Sequence, residues 1–208
     1  MAEAFKAPVT VALTGASGAP YGLRLIDALV AAKHEVWVMV SKAAHLVIAT
    51  ETDDDLPARP ERLAAALTAR SGAADGQIRC FGREDWMAPV ASGSGASSAM
   101  VICPCSTGTL SAVACGASNN LIERAADVAL KERRPLVLVP RETPLSAIHL
   151  EHMLSLTRMG AVILPAAPGF YHRPEGVDDL VDFIVARILN QLGIEHQLMP
   201  RWGESTPP

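Results

Sequence analysis

The sequence lacks a long uninterrupted apolar run and an excess of positive charge. No segment reaches the roughly 18 consecutive apolar residues that a membrane span needs, so the sequence predicts no transmembrane segment. The formal net charge is −4. This argues against a nucleic-acid partner, because nucleic-acid-binding domains are normally basic. An anionic ligand would have to be met by cations gathered locally.

The N-terminal stretch lacks a secretory signal, and the cysteines lack paired spacing. Residues 1–15 contain one lysine and no small-residue cleavage pattern, which predicts a cytoplasmic protein. Cys80, Cys103, Cys105 and Cys115 show no C-x-x-C spacing. In a reducing compartment we expect buried thiols in preference to metal ligands or disulfides.

Charged residues are scarce, at 19%, while half of the residues are hydrophobic. This composition is apolar for a soluble protein and predicts that other copies of the chain cover part of the surface in a homo-oligomer. The 208 residues fit a single domain over 1–208, with flexible tails at about residues 1–7 and 203–208.

Short apolar strands alternate with helical periods along the chain. The pattern predicts strands at residues 9–13, 35–40, 99–106, 135–140 and 161–165. Residues 51–77 carry charge, prolines and glycines around a short helical piece, which predicts a surface excursion. The alternation predicts an α/β fold, Rossmann-like or flavodoxin-like, with a mostly parallel sheet and helices on both faces. Ligands of such sheets bind beyond the carboxyl ends of the strands.

The segment 143–160 carries helix start and stop signals. Thr143 is predicted to cap the helix, with Pro144 in its first position and Gly160 after its last turn.

The turn after the first strand, "TGASGAPYG", departs from a dinucleotide-binding turn. From Gly15, the G-x-G-x-x-G spacing would place glycines where Ser17 and Pro20 stand. Gly15, Gly18 and the helix starting near Pro20 still offer N–H groups and a positive helix end, which suit one phosphate or a ring edge. Ser17 fits such a site, or it is an ordinary N-cap.

Hydroxyl side chains also follow the third strand. Ser106, Thr107 and Thr109 surround Gly108 just before a helix, a pattern that fits an anion cradle or an ordinary Ser/Thr cap. Two such turns in one sheet favour an anion site.

Two helices place cations near apolar stripes. Arg124 and Lys131 alternate with Leu121 and Val128 at spacings of 3 and 4, so they are either snorkelling side chains or the wall of a pocket. Arg187 follows Ile184 by three residues and Leu180 by seven, which predicts a position near the buried face and a need for an anion.

Other polar residues follow the fourth and fifth strands, at the edge where a ligand is expected; they are Arg141, Glu142, Tyr171 and Arg173. His149 and His152 lie three apart on one helix, but no clear third ligand accompanies them. We therefore predict no metal site.

The strand ends together resemble the flavin prenyltransferase family of the UbiX type. The matching segments are "TGASGAPYG", Ser41, "PCSTGTL", "VPRETPLS" and "MLSLTRMGAVILPAAPGFYHRP" with the final helix, which span nearly the whole chain. The resemblance implies a dodecameric flavoprotein that joins a dimethylallyl group from dimethylallyl monophosphate to N5 and C6 of reduced FMN. It also implies that prenylated FMN serves a UbiD-type decarboxylase, as in ubiquinone biosynthesis.

The resemblance also implies roles for individual residues. FMN would be held by Gly15, Ala16, Ser17, Ser41, Ser106, Thr107, Gly108, Thr109 and Arg141. The dimethylallyl phosphate would be bound by Tyr171 and Arg187, with Arg124, Lys131 and Glu142 completing its phosphate site. Glu51 would be the acid/base, and Ser17 would relay its proton. Glu142 is a further candidate proton carrier, and Tyr171 is also counted among the catalytic residues. Trp86 and Trp202 are candidates for an aromatic face toward the allylic cation, or for interface packing.

Two other functions stay open. An FMN-dependent cysteine decarboxylase would share the fold, and "ASNN" at 117–120 resembles its asparagine motif. However, no histidine lies between the first strand and His34, where such an enzyme needs a catalytic one. A non-catalytic FMN-binding subunit would bind the flavin without turnover.

Overall fold

The computed structural model describes residues 4–199, which form one six-stranded sheet in the order β3-β2-β1-β4-β5-β6. All five strand pairs are parallel. The strands are β1 Lys6–Leu13, β2 His34–Val40, β3 Ile78–Cys80, β4 Ala99–Cys105, β5 Leu136–Pro140 and β6 Val162–Ile163. The predicted α/β architecture is confirmed.

Helices cover both faces of the sheet. They are α1 Ala19–Ala31, α2 Lys42–Glu51, α3 Pro60–Ser71, α4 Thr107–Ala114, α5 Leu121–Lys131, α6 Ala147–Arg158 and α7 Val177–Leu192, with 3₁₀ turns at Pro89–Ala91 and Gly93–Gly95. Side chains of β1 alternate between two core layers: Val11 belongs to the layer that contains residues of α1, α2, α3 and α7, whereas Ala12 belongs to the layer that contains residues of α4, α5 and α6. This alternation is the period-2 pattern of a strand buried on both faces.

The order of the strands places the binding crevice. The chain proceeds from β1 to β2 on one side of the sheet, and returns to β4 on the other side of β1. Ligands of open α/β sheets bind at such a switch point, outside the carboxyl ends of the strands. The residues that follow β1, β2 and β4 therefore border the expected site.

The predicted surface excursion is partly core. α3 buries Leu63 and Leu67 against the sheet, and β3 pairs with β2 immediately afterwards. The two leucines lie four residues apart among charged residues and alanines, so they give only a weak helical pattern. A three-residue strand that contains Arg79 has no recognisable apolar run.

Two predicted boundaries differ from the structure. β1 begins at Lys6, inside the predicted tail 1–7, while residues 203–208 lie outside the described residues. α6 begins at Ala147, where the Ser146 hydroxyl accepts from the His149 N–H at 3.3 Å. Thr143 and Pro144 precede the helix, so their predicted roles are wrong. At the other end, Gly160 follows the last turn with φ of 96°, as predicted.

The cysteines differ in exposure. Cys103 and Cys105 are buried on β4 and Cys80 is half-buried, but Cys115 is exposed, contrary to the prediction. Burial raises the pKa of the Cys80 and Cys105 thiols to about 12, and raises that of Cys103 as well. These three side chains are therefore protonated thiols at neutral pH. Among residues 4–199, no helix is long and apolar enough to cross a membrane.

Candidate active site at the strand ends

A cavity of about 800 Å³ lies at the carboxyl ends of β1, β2 and β4. This volume is within the roughly 300–1,000 Å³ typical of small-molecule sites. Five residues predicted to hold FMN line it: Gly15, Ser41, Ser106, Gly108 and Thr109. The switch point predicted from the strand order is thus an open cavity with hydroxyl groups on its wall.

Three helices begin at this cavity. Ser41 caps α2 by accepting from the Ala44 N–H at 3.1 Å, and Ser106 caps α4 by accepting from the Thr109 N–H at 3.3 Å. Asn120 caps α5 by accepting from the Glu123 N–H at 3.1 Å. Serine caps and a ligand wall are therefore not exclusive alternatives here. Converging helix N-termini favour an anionic ligand.

The turn between β4 and α4 is tied to β1. Thr14 donates its hydroxyl to the Pro104 carbonyl at 2.8 Å, and accepts from the Ser106 N–H at 2.8 Å. Thr107 opens α4 and is half-buried, while a Cβ added at Gly108 would meet no atom within 4 Å. The backbone at Gly108 is therefore open to a ligand.

The β1–α1 turn requires close packing against α2. A Cβ at Gly15 would lie 2.5 Å from the Ala43 Cβ, and Gly18 has φ of 114°. Ala16 is buried and Ser17 is exposed. Gly18 holds the N-cap position of α1 without a side-chain cap, so the hypothesis that Ser17 is an ordinary N-cap is wrong.

Glu51, the last residue of α2, closes the N-terminus of α1. Its Oε2 accepts from the Gly18 N–H at 2.8 Å and the Ala19 N–H at 2.9 Å, and its carboxylate also accepts from the Ser17 hydroxyl. Desolvation alone would raise the pKa of Glu51. The hydrogen bonds from Ser17, Gly18 and Ala19, together with the charge of Arg141, outweigh it and lower that pKa. Glu51 is consequently a carboxylate at neutral pH.

Glu51 does not line the larger cavity. It lines a second cleft of about 550 Å³ together with Pro20 of α1 and Asp182 of α7. Gly15 of the β1–α1 turn lines the first cavity, whereas Glu51, which binds the other end of this turn at Gly18, lines the second cleft. The Ser17–Glu51 pair therefore joins this turn to the end of α2.

Arg141 follows β5 and carries an unusual donor. Its Nε is buried and has no hydrogen-bond partner within residues 4–199. Buried donors without partners are uncommon and call for an explanation such as a bound group. An anionic ligand would supply the missing acceptor. The charge of Arg141 also stabilises the Glu51 carboxylate. Glu142 is exposed, and its Oε1 accepts from the Thr143 N–H at 3.2 Å.

The residues predicted for the dimethylallyl phosphate are dispersed in a single chain. Arg187 is exposed, which corrects the predicted position near the buried face. The buried stripe of α7 is centred on Val181, Val185 and Ile188, so a residue seven positions after the half-buried Leu180 lies outside it. Tyr171 lies in the loop after β6 and is 59% exposed.

The two cations of α5 point to different surroundings. Arg124 donates to the Ala91 carbonyl at 3.0 Å and to Asp127 at 2.8 Å. Lys131 ends the helix, is exposed and pairs with Glu132. α5 begins at the cavity and is 11 residues long, which places Lys131 about 15 Å further along the axis. This chain alone does not bring Lys131 to the site.

The remaining predicted residues lie apart from the cavity or outside the described range. Trp86 is 45% exposed in the segment after β3, and Trp202 lies outside the described residues. Nδ1 of His149 accepts from the Ser146 N–H at 3.2 Å in a capping box. Within residues 4–199, no group of three or more His, Cys, Asp or Glu side chains could hold a metal ion.

Several cavity residues were not predicted from the sequence. Thr14, Lys42, Phe81, Arg83 and Asn120 all line it. Lys42 directly follows Ser41, so its position after the second strand was a usable signal. Phe81 and Arg83 follow β3, and the sequence pattern predicts no strand there, so it gives no reason to place these two residues at a strand end. Asn120 belongs to the "ASNN" segment, where it caps α5.

The Flavoprotein family model matches residues 2–189. A flavin prenyltransferase UbiX of Pseudomonas aeruginosa is 71% identical over 196 residues, which cover 94% of each chain. The chain belongs to the flavin prenyltransferase UbiX family. This confirms the resemblance seen in the strand-end motifs.

Solved UbiX structures share the fold over almost the whole chain. AnUbiX in complex with FMN and dimethylallyl pyrophosphate is 40% identical, with a TM-score of 0.85, and the match covers 97% of this chain and 100% of that one. A dodecameric FMN-dependent UbiX-like decarboxylase from Escherichia coli is 43% identical, with a TM-score of 0.83 and coverage of 94% and 98%. These UbiX relatives favour the prenyltransferase interpretation over the cysteine decarboxylase and the non-catalytic subunit.

Proposed function

We propose that this UbiX-family protein joins a dimethylallyl group from dimethylallyl monophosphate to N5 and C6 of reduced FMN. The product, prenylated FMN, would serve a UbiD-type decarboxylase in the cytoplasm. The observation that carries the proposal is the Glu51 carboxylate held by Ser17 and the α1 N-terminus on the turn that borders the cavity. A flavin carrier needs no carboxylate positioned in this way.

The FMN would lie against the strand ends. The hydroxyls and free N–H groups of the α4 N-terminus suit its phosphate, and the turn Gly15, Ala16 and Ser17 suits a ring edge. Arg141 supplies a buried donor in need of an acceptor. Reduced FMN supplies an electron-rich ring that accepts the allylic carbon.

The residues that bind dimethylallyl monophosphate must stabilise its departing phosphate. Its C–O bond breaks with the electron pair leaving on oxygen, so cations and hydroxyl donors lower the barrier. Tyr171 and Arg187 are the residues of this chain that would bind the phosphate of dimethylallyl monophosphate. Lys131 would come from another copy, because α5 carries it away from its own cavity, and Arg124 on the same helix would come with it. Trp86 would face the allylic group. The same part for Trp202, which lies outside the described residues, stays a prediction from the family resemblance.

Proton removal is the task of Glu51. Its carboxylate is ionised near neutral pH and is therefore in the form that can accept a proton. The Ser17 hydroxyl already donates to this carboxylate and can pass a proton to it from the ligand side. Glu142 is exposed, and among residues 4–199 its carboxylate accepts from the neighbouring Thr143 N–H, so we place Glu142 in the phosphate site and not among the proton carriers.

Assembly as a homo-oligomer, and specifically a dodecamer, fits the surface. Large apolar side chains are exposed along and next to α6: Leu145, Ile148, Leu150, Leu154 and Met159. Monomers rarely leave such a face in water. The dodecameric E. coli relative supports the same state.

Phosphate release tests the reaction. Protein loaded with FMN and reduced anaerobically is mixed with dimethylallyl monophosphate, and inorganic phosphate is measured over time. We expect release that needs both reduced FMN and the donor. A parallel reaction with dimethylallyl pyrophosphate, followed by the release of inorganic pyrophosphate, tests donor choice. No phosphate release, combined with carbon dioxide release from a peptide ending in cysteine, would favour the decarboxylase instead.

A further inference from the structure

The buried side-chain atoms that lack hydrogen-bond partners within residues 4–199 belong to two residues at one edge of the sheet. They are Nε of Arg141 and both ring nitrogens of His172. Arg141 follows β5 and His172 lies in the loop after β6, the parallel neighbour of β5. Arg141 has an explanation in the proposed FMN site. The His172 ring has none yet, although burying unpaired polar atoms costs stability.

The His172 ring is held by aromatic packing. It stacks on Phe183 of α7, with centroids 5.5 Å apart and planes 15° from parallel. The Tyr171 ring meets both by its edge, at 5.9 Å from each centroid. These stacked and edge-to-face geometries are the attractive ones for aromatic rings. We call His172 and Phe183 the aromatic platform of Tyr171.

The backbone of this loop allows close contact between Tyr171 and the aromatic platform. A Cβ at Gly169 would lie 2.9 Å from Cε1 of Tyr171 and 3.2 Å from the Phe183 ring, so only glycine allows this approach. Arg173 closes the turn with φ of 54°, and its N–H donates to the Phe170 carbonyl at 3.0 Å. Tyr171 is thus fixed in place although 59% of it is exposed.

The platform also ties Tyr171 to Arg187. Phe183 and Arg187 are four residues apart on α7, and side chains at this spacing are neighbours on one helix face. We propose that His172 and Phe183 are positioning residues that set Tyr171 relative to Arg187, so that both can bind the phosphate of the dimethylallyl donor. This inference rests on the proposed function, which gives those two residues that task.

Binding of dimethylallyl monophosphate is the first test. It is titrated into protein loaded with oxidised FMN, where no turnover occurs. We expect His172→Ala and Phe183→Leu to raise the donor Kd about tenfold or more, because misplacing one contact by an ångström is costly. The FMN Kd should stay unchanged. His172→Phe keeps an aromatic face and should restore donor binding. His34→Ala, at the start of β2, is the matched control.

Fluorine NMR gives a readout independent of donor and turnover. The chain contains two tyrosines, Tyr21 and Tyr171, so 3-fluorotyrosine labelling yields two resonances, and Tyr21→Phe assigns them. The Tyr171 resonance should move in His172→Ala and stay close to the wild-type position in His172→Phe. An unmoved resonance in His172→Ala would show that the platform does not position Tyr171.

Two further outcomes would overturn the inference. Wild-type donor affinity in His172→Ala would show that Tyr171 placement does not matter for the phosphate. Equal losses in His172→Phe and His172→Ala would mean that the ring nitrogens bind directly and that packing is not the cause. If wild-type protein binds no dimethylallyl monophosphate, the proposed function fails together with the donor part of this inference. Wild-type binding with unaltered variants overturns the inference alone.

Discussion

At the scale of single residues, the Ser17–Glu51 pair shows how far a side chain's role can depart from its local sequence. Glu51 opens the acidic run "ETDDD", which is typical of a solvated loop. In the structure it ends α2 and accepts two backbone N–H groups at the start of α1. Contacts 32 and 33 residues apart in sequence create this site, so its geometry could not be deduced from the residues near Glu51 alone.

Replacing the Glu51 carboxylate by an amide should remove the proton acceptor. We expect Glu51→Gln to lower the rate of prenylated FMN formation by about a hundredfold or more, the usual contribution of general acid–base catalysis. FMN binding, followed by flavin fluorescence, should persist. Asp53→Asn is the matched control, because Asp53 is an exposed carboxylate of the same acidic segment. Full turnover in Glu51→Gln would exclude the acid/base role.

The lowered pKa of Glu51 also predicts a pH dependence of stability. A carboxylate with a depressed folded-state pKa stabilises the protein above the unfolded-state pKa, and loses this effect as pH falls through the folded-state value. The ordinary pKa of Glu is 4.5. The stability difference between wild type and Glu51→Gln in urea should therefore be full near pH 7 and shrink below 4.5. A difference that grew on acidification would contradict the hydrogen-bonded carboxylate.

At the scale of elements, the long periodic segments were predictable and the short or polar ones were not. Five strands and the helices after β1 and β4 carry clear apolar periods. The strand β3 has three residues, and α3 presents two buried leucines among charges and alanines, so neither gives a strong pattern. The predicted start of α6 is wrong because Thr143 and Pro144 have the residue types of an N-cap and a first helical position. In the structure Ser146 is the N-cap and forms a capping box.

Two serine caps, one at the cavity and one away from it, allow the effect of a cap on protein stability to be separated from its effect on FMN binding. Ser106 and Ser146 both accept from an N–H at 3.3 Å, but only Ser106 lines the cavity. We expect either Ser→Ala change to cost about 0.5–2 kcal/mol in urea unfolding of the apoprotein. FMN affinity should fall in Ser106→Ala alone. Equal FMN affinity in both variants would place the ligand away from α4.

At the scale of the whole molecule, a single chain leaves the proposed donor site incomplete. Arg187 was expected near the buried face because the spacing was counted from Leu180, which lies at the edge of the stripe. Lys131 lies at the far end of α5 from the cavity. Sequence periodicity reports which residues face the core of their own chain. It carries no information about which residues meet a second copy.

The exposed apolar residues of α6 predict self-association. Light scattering should give a mass many times the 22.0 kDa of one chain. Ile148, which is 62% exposed, should be covered in the assembly, so Ile148→Asp should shift the mass toward smaller species. Ala65→Asp adds the same charge to an exposed position of α3 and serves as control. A wild-type monomer would contradict the prediction.

The mass of the flavin extracted after anaerobic reaction tests the central claim most directly. Protein with reduced FMN is incubated with dimethylallyl monophosphate, and a parallel sample lacks the donor. We predict a gain of one isoprenyl unit only in the complete reaction. Unchanged FMN, recovered from protein that demonstrably binds both ligands, would contradict the assignment of this strand-end site to flavin prenylation.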